Sequence, residues 1–95
     1  MVIGICQLHL RIPGNHSLKE KRHVIRKLID RVSHRFNVAI SEVGDNDLWQ
    51  RARIGICTVG NDRRFVNSCL DKIIDSIEKM YLAEIIEKEI EILTF

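Results

Sequence analysis

The residues of this sequence whose types and spacing suggest chemistry are the cations between positions 19 and 35. At about 100° per residue, most of them lie on one side of a helix, clear of its apolar side. Like charges four residues apart repel, so such a helix either has acidic neighbours or meets an anionic partner, and RNA offers phosphates. A solvated surface is the competing interpretation. The cations predicted to bind RNA or another anion are Lys19, Arg22, Arg26, Lys27 and Arg31.

Lys21 departs from this pattern, because the same angular count turns it toward the apolar side in the first helical turn. Together with free backbone N–H groups near Ser17 and Leu18 it would form an anion site, since a helix N-terminus carries partial positive charge. The spacing of Ser17 and Glu20 also predicts a capping box, which uses part of the same donor set. Capping is the favoured role of this turn, and Lys21 is retained as a candidate anion ligand.

Trp49 is the only tryptophan, and it lies in or beside a turn-rich segment that follows Gly44. An indole there stacks on a base, contacts a protein, or folds back over the ends of the helices, which is the favoured interpretation for the ring alone. Gln50 and Arg51 beside it add hydrogen-bond donors used in recognition. We therefore include Trp49, Gln50 and Arg51 in the predicted RNA-binding set.

The histidines and cysteines show no catalytic or metal-binding pattern. The three cysteines include no CxxC pair, so neither a disulfide framework nor a zinc site is predicted. Cys6 and Cys57 fall in predicted strands without an activating base, and all three thiols are expected to be reduced and mostly buried. The Gly-rich phosphate cradle of an acylphosphatase is missing from residues 13–16. We predict no enzymatic activity, no catalytic residue, no metal and no cofactor.

The composition bounds the architecture that positions these residues. A chain of 95 residues with 45% hydrophobic and 29% charged residues can build one core, so residues 1–95 are predicted to form one domain. No apolar run is long enough to span a membrane and no signal peptide opens the chain, so a cytoplasmic protein without membrane association is expected.

The charge is unevenly distributed. Residues 1–64 contain 12 Lys and Arg against 6 Asp and Glu, a net +6, whereas residues 65–95 contain 3 against 7, a net −4. Local potential depends on clustering within a Debye length of about 8–10 Å, so the positive part can attract phosphates although the whole chain carries only +2. The same polarity would suit self-association.

Hydrophobic periodicity predicts six elements in the order β-α-β-β-α-β. Residues 2–12 alternate with period two, whereas apolar residues in 18–36 and 65–80 recur at helical spacing. The predicted elements are residues 2–12, 18–36, 38–43, 51–59, 65–80 and 86–92. Right-handed crossovers make this an α+β ferredoxin-like sandwich with an antiparallel sheet in the order 4-1-3-2 and both helices on one face. The loops at residues 13–21 and 44–50 then emerge at the same end.

The other sheet face is predicted to be open and to mediate self-association. It carries isoleucines at its centre but no aromatic residue, which excludes base stacking on the sheet. Apolar residues of two copies would bury each other while Arg11 or Arg53 meets Glu89 or Glu91. The predicted oligomer interface is Ile3, Ile5, Arg11, Arg53, Val59, Glu89 and Glu91.

Two strings, SLKEKR at residues 17–22 and DLWQRA at residues 47–52, resemble those of the small bacterial YlxP-like family. The similarity also includes Phe36-Asn37-Val38 and Asn61-Asp62, and it spans nearly the whole chain. The resemblance implies a ferredoxin-like fold, no established catalytic activity, and genes that often lie beside those of translation initiation and small-subunit maturation factors.

These observations favour a non-catalytic RNA- or ribosome-associated binding protein that acts in translation or small-subunit maturation. Its expected partners are RNA or the small ribosomal subunit and a second copy of the chain. One alternative is a homo-oligomeric protein-interaction module that associates through the open sheet face. Another is a regulatory domain that binds a small metabolite, for which the sequence contains no pocket motif.

Overall fold

The six periodic segments form six elements in the computed structural model, which describes residues 1–95. Each begins and ends within two residues of its predicted bounds. The elements are β1 (Val2–Arg11), α1 (Leu18–Arg35), β2 (Ala39–Gly44), β3 (Arg51–Gly60), α2 (Arg63–Lys79) and β4 (Glu84–Thr94). Neither helix is long and apolar enough to cross a bilayer.

The four strands form one antiparallel sheet in the order β2-β3-β1-β4. Counted from the other edge, this is the predicted order 4-1-3-2, so the α+β ferredoxin-like topology is confirmed. The even-numbered side chains of β1 and β3 are buried with apolar residues of both helices in one core. Both helices therefore cover the same face of the sheet, and the odd-numbered residues of β1 lie on the open face.

Helix α1 begins with the predicted cap. Ser17 Oγ accepts a hydrogen bond from the backbone N–H of Glu20 at 3.1 Å. Glu20 Oε2 accepts from the backbone N–H of His16 at 3.0 Å, one residue before the Ser17 N–H that a capping box predicts. The cap is thus confirmed, and its reciprocal bond is shifted by one residue. Both bonds hold the loop against the first turn of the helix.

Replacing this cap gives a first testable prediction. Ser17→Ala is expected to lower the free energy of unfolding by about 1 kcal/mol, because the Glu20 N–H loses its acceptor. Urea denaturation measures this loss, and Ser33→Ala, an exposed position in the same helix, is the matched control with little or no loss. Equal stabilities of the two variants would contradict the capping role.

Strand β4 contains a bulge that the sequence pattern did not predict. Its register with β1 shifts between His9, which pairs with Glu87, and Leu10, which pairs with Ile85. Ile86 is therefore the extra residue and is half-exposed, while Ile85 packs against the core. The predicted alternation of Ile86 with Ile90 and Ile92 is wrong at residue 86, because a bulge inserts one residue and reverses the phase.

Candidate functional site

The two polar loops meet at one end of the sheet. The backbone N–H of Ile12 donates to the carbonyl of Gln50 at 2.9 Å. The Gln50 side-chain amide donates to the carbonyl of Asn15 at 3.0 Å, and the Asn15 amide donates to the carbonyl of Trp49 at 3.2 Å. Asn15 is buried by these contacts. The predicted convergence of residues 13–21 and 44–50 is confirmed.

Lys21, in the first turn of α1, contacts the second of these loops. Its side chain is fully buried, and its ammonium donates a hydrogen bond to the carbonyl of Asp45. The ammonium also lies 2.9 Å from Glu42 Oε2, at an angle outside hydrogen-bond geometry, so this contact is an ion pair. Asp45 adopts a left-handed φ of 58°, which turns the hairpin between β2 and β3. Lys21 thus ties α1 to this hairpin.

The prediction that Lys21 binds an external anion is therefore wrong. Its position on the apolar side of α1 places it against the hairpin. There its ammonium forms an ion pair with Glu42 and a hydrogen bond with the Asp45 carbonyl. Burial also removes the ammonium from solvent, so an incoming phosphate cannot reach it. The sequence indicated the inward direction of Lys21 but not its partners.

The N-terminal half of α1 presents the first part of the predicted cationic surface. Lys19, Arg22 and Arg26 are exposed and line one surface concavity of about 630 Å³, together with His23. The loop residue Asn15 forms one wall of this concavity. Glu20 and Val24 complete its lining, so cations outnumber the single carboxylate. We call this site the basic concavity. Three of the predicted anion ligands are therefore brought together here.

None of these cations forms an ion pair with an acidic side chain. The ion pairs of the structure within 4.0 Å are Lys21 with Glu42 and His9 with Glu89. Lys19, Arg22 and Arg26 have no such partner, although Glu20 lines the same concavity and lowers its positive potential. A helix rich in like charges either has acidic neighbours or meets an anionic partner. In this fold, acidic neighbours do not pair with these three cations.

The remaining cations of α1 lie elsewhere. Arg31 lines a second concavity of about 570 Å³ between the helices, with Arg35 of α1 and Lys79 of α2. Asp30 lies in the same groove and lowers its positive potential. Lys27 is exposed but lines neither concavity. Sequence reasoning missed Lys79, because its approach to α1 depends on how the two helices pack.

Trp49 lies at the loop end of the basic concavity. Its carbonyl accepts the hydrogen bond from Asn15, and the residue is 53% exposed. The neighbouring Leu48 is also half-exposed. The indole is therefore not a core residue, since a core residue would be nearly inaccessible. An exposed indole is available to a partner at this place.

Gln50 and Arg51 differ from Trp49 in what they can contact. Gln50 is exposed and already donates to the Asn15 carbonyl. Arg51 pairs with Arg11 across β1 and β3, and the alternation of β3 places it on the open sheet face. Since α1 covers the opposite face, Arg51 does not belong to the basic concavity.

The predicted interface residues share the open face. Ile3 lies opposite Val59, and Ile5 lies opposite both Cys57 and Glu91 in the register of the sheet. Arg11, Arg53 and Glu89 have the same parity, and His9 Nε2 lies 3.2 Å from Glu89 Oε1 within the face. The structure thus brings together the residues Ile3, Ile5, Arg11, Arg53, Val59, Glu89 and Glu91.

The cysteines differ in exposure. Burial raises the pKa of the Cys6 thiol to about 11, and the positive charge of Lys88 offsets part of this shift. At neutral pH Cys6 is a protonated thiol, whereas the thiolate is the nucleophilic form. Cys57 is exposed on the open face and Cys69 is half-buried, so the expectation of mostly buried thiols is correct only for Cys6.

Comparison with known proteins agrees with the resemblance carried by SLKEKR and DLWQRA. Residues 3–90 match a family described as "Protein of unknown function (DUF503)". The uncharacterized protein YlxP of Bacillus subtilis (strain 168) is 38% identical over 77 residues, which are 81% of this chain and 84% of that relative. The chain belongs to the YlxP-like DUF503 family of proteins of unknown function.

Proposed function

We propose that this protein is a cytoplasmic, non-catalytic RNA- or ribosome-associated binding protein that acts in translation or small-subunit maturation. One observation carries the proposal: the cations on the outer side of α1 are exposed and have no carboxylate within 4.0 Å. Uncompensated like charges destabilise a helix, and a phosphate partner relieves the repulsion by neutralising them.

The extent of the charge favours a polyanion over a small anion. Residues 19–35 cover about 24 Å of helix at 1.5 Å per residue, which is far longer than one phosphate group. The two concavities along α1 contribute cations at both ends of this length. A chain of phosphates can contact both, and phosphate contacts position a nucleic acid without reading its sequence.

Trp49 favours RNA with unpaired bases. Proteins that recognise single-stranded RNA stack its splayed bases on aromatic side chains. The half-exposed Trp49 is bonded through its backbone to Asn15, which lines the basic concavity. Phosphate contacts along α1 would supply most of the affinity, and stacking on Trp49 would select unpaired segments. The connection with translation rests on the gene neighbourhood that the family resemblance implies.

The direct test is a salt titration of RNA binding. Fluorescence anisotropy with a labelled fragment of small-subunit ribosomal RNA measures the affinity of the wild-type protein between about 50 and 200 mM salt. About five phosphate contacts predict a loss of roughly 10²-fold across this range, because each contact releases counterions. Absence of binding at about 50 mM salt, where screening is weak, would refute the proposal.

Trp49→Ala separates stacking from a structural role. Loss of one stacked base costs about 1–3 kcal/mol of binding, which is roughly 5- to 150-fold in Kd, and leaves the salt slope unchanged. The melting temperature should change little, because the indole is already half-exposed. Phe65→Ala, which removes an exposed aromatic side chain from α2, is the matched control with unchanged binding. A lower melting temperature without weaker binding would contradict stacking.

A further inference from the structure

We propose that the chain forms a homodimer through its open sheet face, around a two-fold axis that runs along β1, so that β3 of each copy lies over β4 of the other. The open face is distinct from the α1 surface, so this inference goes beyond RNA binding. It rests on how apolar and charged residues are distributed over the face.

One end of the open face is apolar. Val59 of β3 and Leu93 of β4 both lie opposite Ile3 of β1, and the next residue of β1 on this face is Ile5. Ile5 is 39% exposed and Val59 is 61% exposed. Adjacent apolar side chains on three neighbouring strands form a contiguous patch, which is a feature of interaction surfaces.

The other end of the face divides its charge between the two sides of β1. Arg51 and Arg53 lie on β3, whereas Glu87 and Glu89 lie on β4. Arg53 has no carboxylate within 4.0 Å, and its Nε is buried without a hydrogen-bond partner. The face therefore carries a positive strand and a negative strand, separated by β1.

The distribution of apolar and charged residues favours one of two ways to stack the open faces around a two-fold axis. A two-fold axis across the strands would place the apolar end of one copy on the charged end of the other, and β3 on β3. An axis along β1 places the apolar ends together and lays β3 on the partner's β4. Residues that share a partner on β1 then face each other: Val59 meets Leu93 of the partner subunit, and Arg53 meets Glu87 of the partner subunit.

Sheet geometry permits these contacts. Packed sheets rotate by about 30° relative to each other, which keeps residues near the axis in register and leaves Arg53 within reach of Glu87 or Glu89 on the partner subunit. The axis along β1 lays β3, β1 and β4 of one copy over the same three strands of the other and leaves β2 outside the contact. Three strands about 4.8 Å apart and ten residues long span about 14 by 33 Å. Two such faces bury about 950 Å², which is below the roughly 1,200–2,000 Å² of stable specific interfaces and within the range of weak, transient ones. A reversible dimer is therefore expected.

The dimer leaves the RNA-binding surface free. Because both helices cover the opposite face of each sheet, the assembly has helices outside and two sheets inside. The two basic concavities then lie on the outer layers, where each remains open to solvent. Dimer formation and RNA binding can consequently be tested separately.

The first experiment measures mass against concentration. Sedimentation of the wild-type protein from about 10 to 500 μM should show a shift toward twice the monomer mass of 11.1 kDa. Ile5→Glu should stay monomeric with an unchanged circular dichroism spectrum, since it places a charge in the apolar patch. Phe65→Glu, on α2, should dimerise like the wild type. A monomeric wild type at 500 μM, or a dimer unaffected by Ile5→Glu, would overturn the proposal.

A mixing experiment tests the axis. Arg51→Glu/Arg53→Glu makes both β3 and β4 acidic, and Glu87→Lys/Glu89→Lys makes both strands basic, so each variant alone should be monomeric. An equimolar mixture should dimerise, because every acidic strand then lies over a basic strand. If Ile5→Glu abolishes the dimer and the mixture stays monomeric, the axis along β1 is wrong.

A third measurement needs no substitution at the interface. Cys57 is exposed on the open face and Cys69 lies in α2. In the wild-type protein, iodoacetamide should modify Cys57 several-fold more slowly at 500 μM than at 10 μM, while the rate at Cys69 stays constant. Mass spectrometry resolves the two sites. Equal Cys57 rates at both concentrations, in a protein that sediments as a dimer, would place the interface on another surface and overturn the proposal.

Discussion

Lys21→Met is expected to lower the free energy of unfolding by about 3–5 kcal/mol, which is a large part of the 5–15 kcal/mol typical of a domain. The substitution leaves the carboxylate of Glu42, whose side chain is 17% exposed, without its cation. It also removes the donor to the Asp45 carbonyl, so the hairpin loses its attachment to α1. Urea denaturation followed by circular dichroism measures the loss.

Two controls establish the physical cause. Lys19→Met removes an exposed lysine two residues away and should change stability by about 0.5 kcal/mol or less. Lys21→Met/Glu42→Leu should regain much of the lost stability, since neither charge remains buried alone. If Lys21→Met behaved like Lys19→Met, the Lys21 ammonium would have to reach solvent, and its assignment as a buried tie would be wrong.

Arg22→Glu/Arg26→Glu is expected to weaken RNA binding by roughly 10²-fold or more at low salt. A contact between unit charges at 4 Å in water is worth about 1 kcal/mol, and reversal replaces each attraction by a repulsion, so two reversals cost about 4 kcal/mol before screening. The slope of log affinity against log salt should also flatten by about 1.4–1.8, because two contacts no longer release counterions. Anisotropy titrations at several salt concentrations measure both effects.

Arg63→Glu/Arg64→Glu is the matched control for this pair. It changes the net charge by the same amount at the start of α2, where β3 has ended at the opposite end of the sheet from the converging loops. The control should retain most of the affinity and the slope, since its arginines lie far from the basic concavity. Equal losses in the two variants would mean that overall charge, not the α1 surface, attracts the RNA.

The sequence by itself determined the elements and their order. The alternation of residues 2–12, the helical repeat of 18–36 and the cap at Ser17 are local patterns, which depend only on residues within a few positions of each other. The handedness of β-α-β crossovers then leaves one simple topology, and this topology also predicts that the two loops converge. The bulge at Ile86 escaped prediction because it depends on pairing with β1, which is distant in sequence.

Only the tertiary structure decided which predicted ligands share a surface. Lys19 and Lys21 are two residues apart and equally cationic, yet one is exposed and the other fully buried beside Glu42. Trp49 is exposed and Arg51 lies on the opposite side of the sheet from α1, although both follow the same turn. These outcomes depend on contacts between segments more than 20 residues apart, such as Lys21 with Asp45. Local periodicity determines the direction of a side chain, whereas its partners and exposure arise from how the helices and hairpin pack.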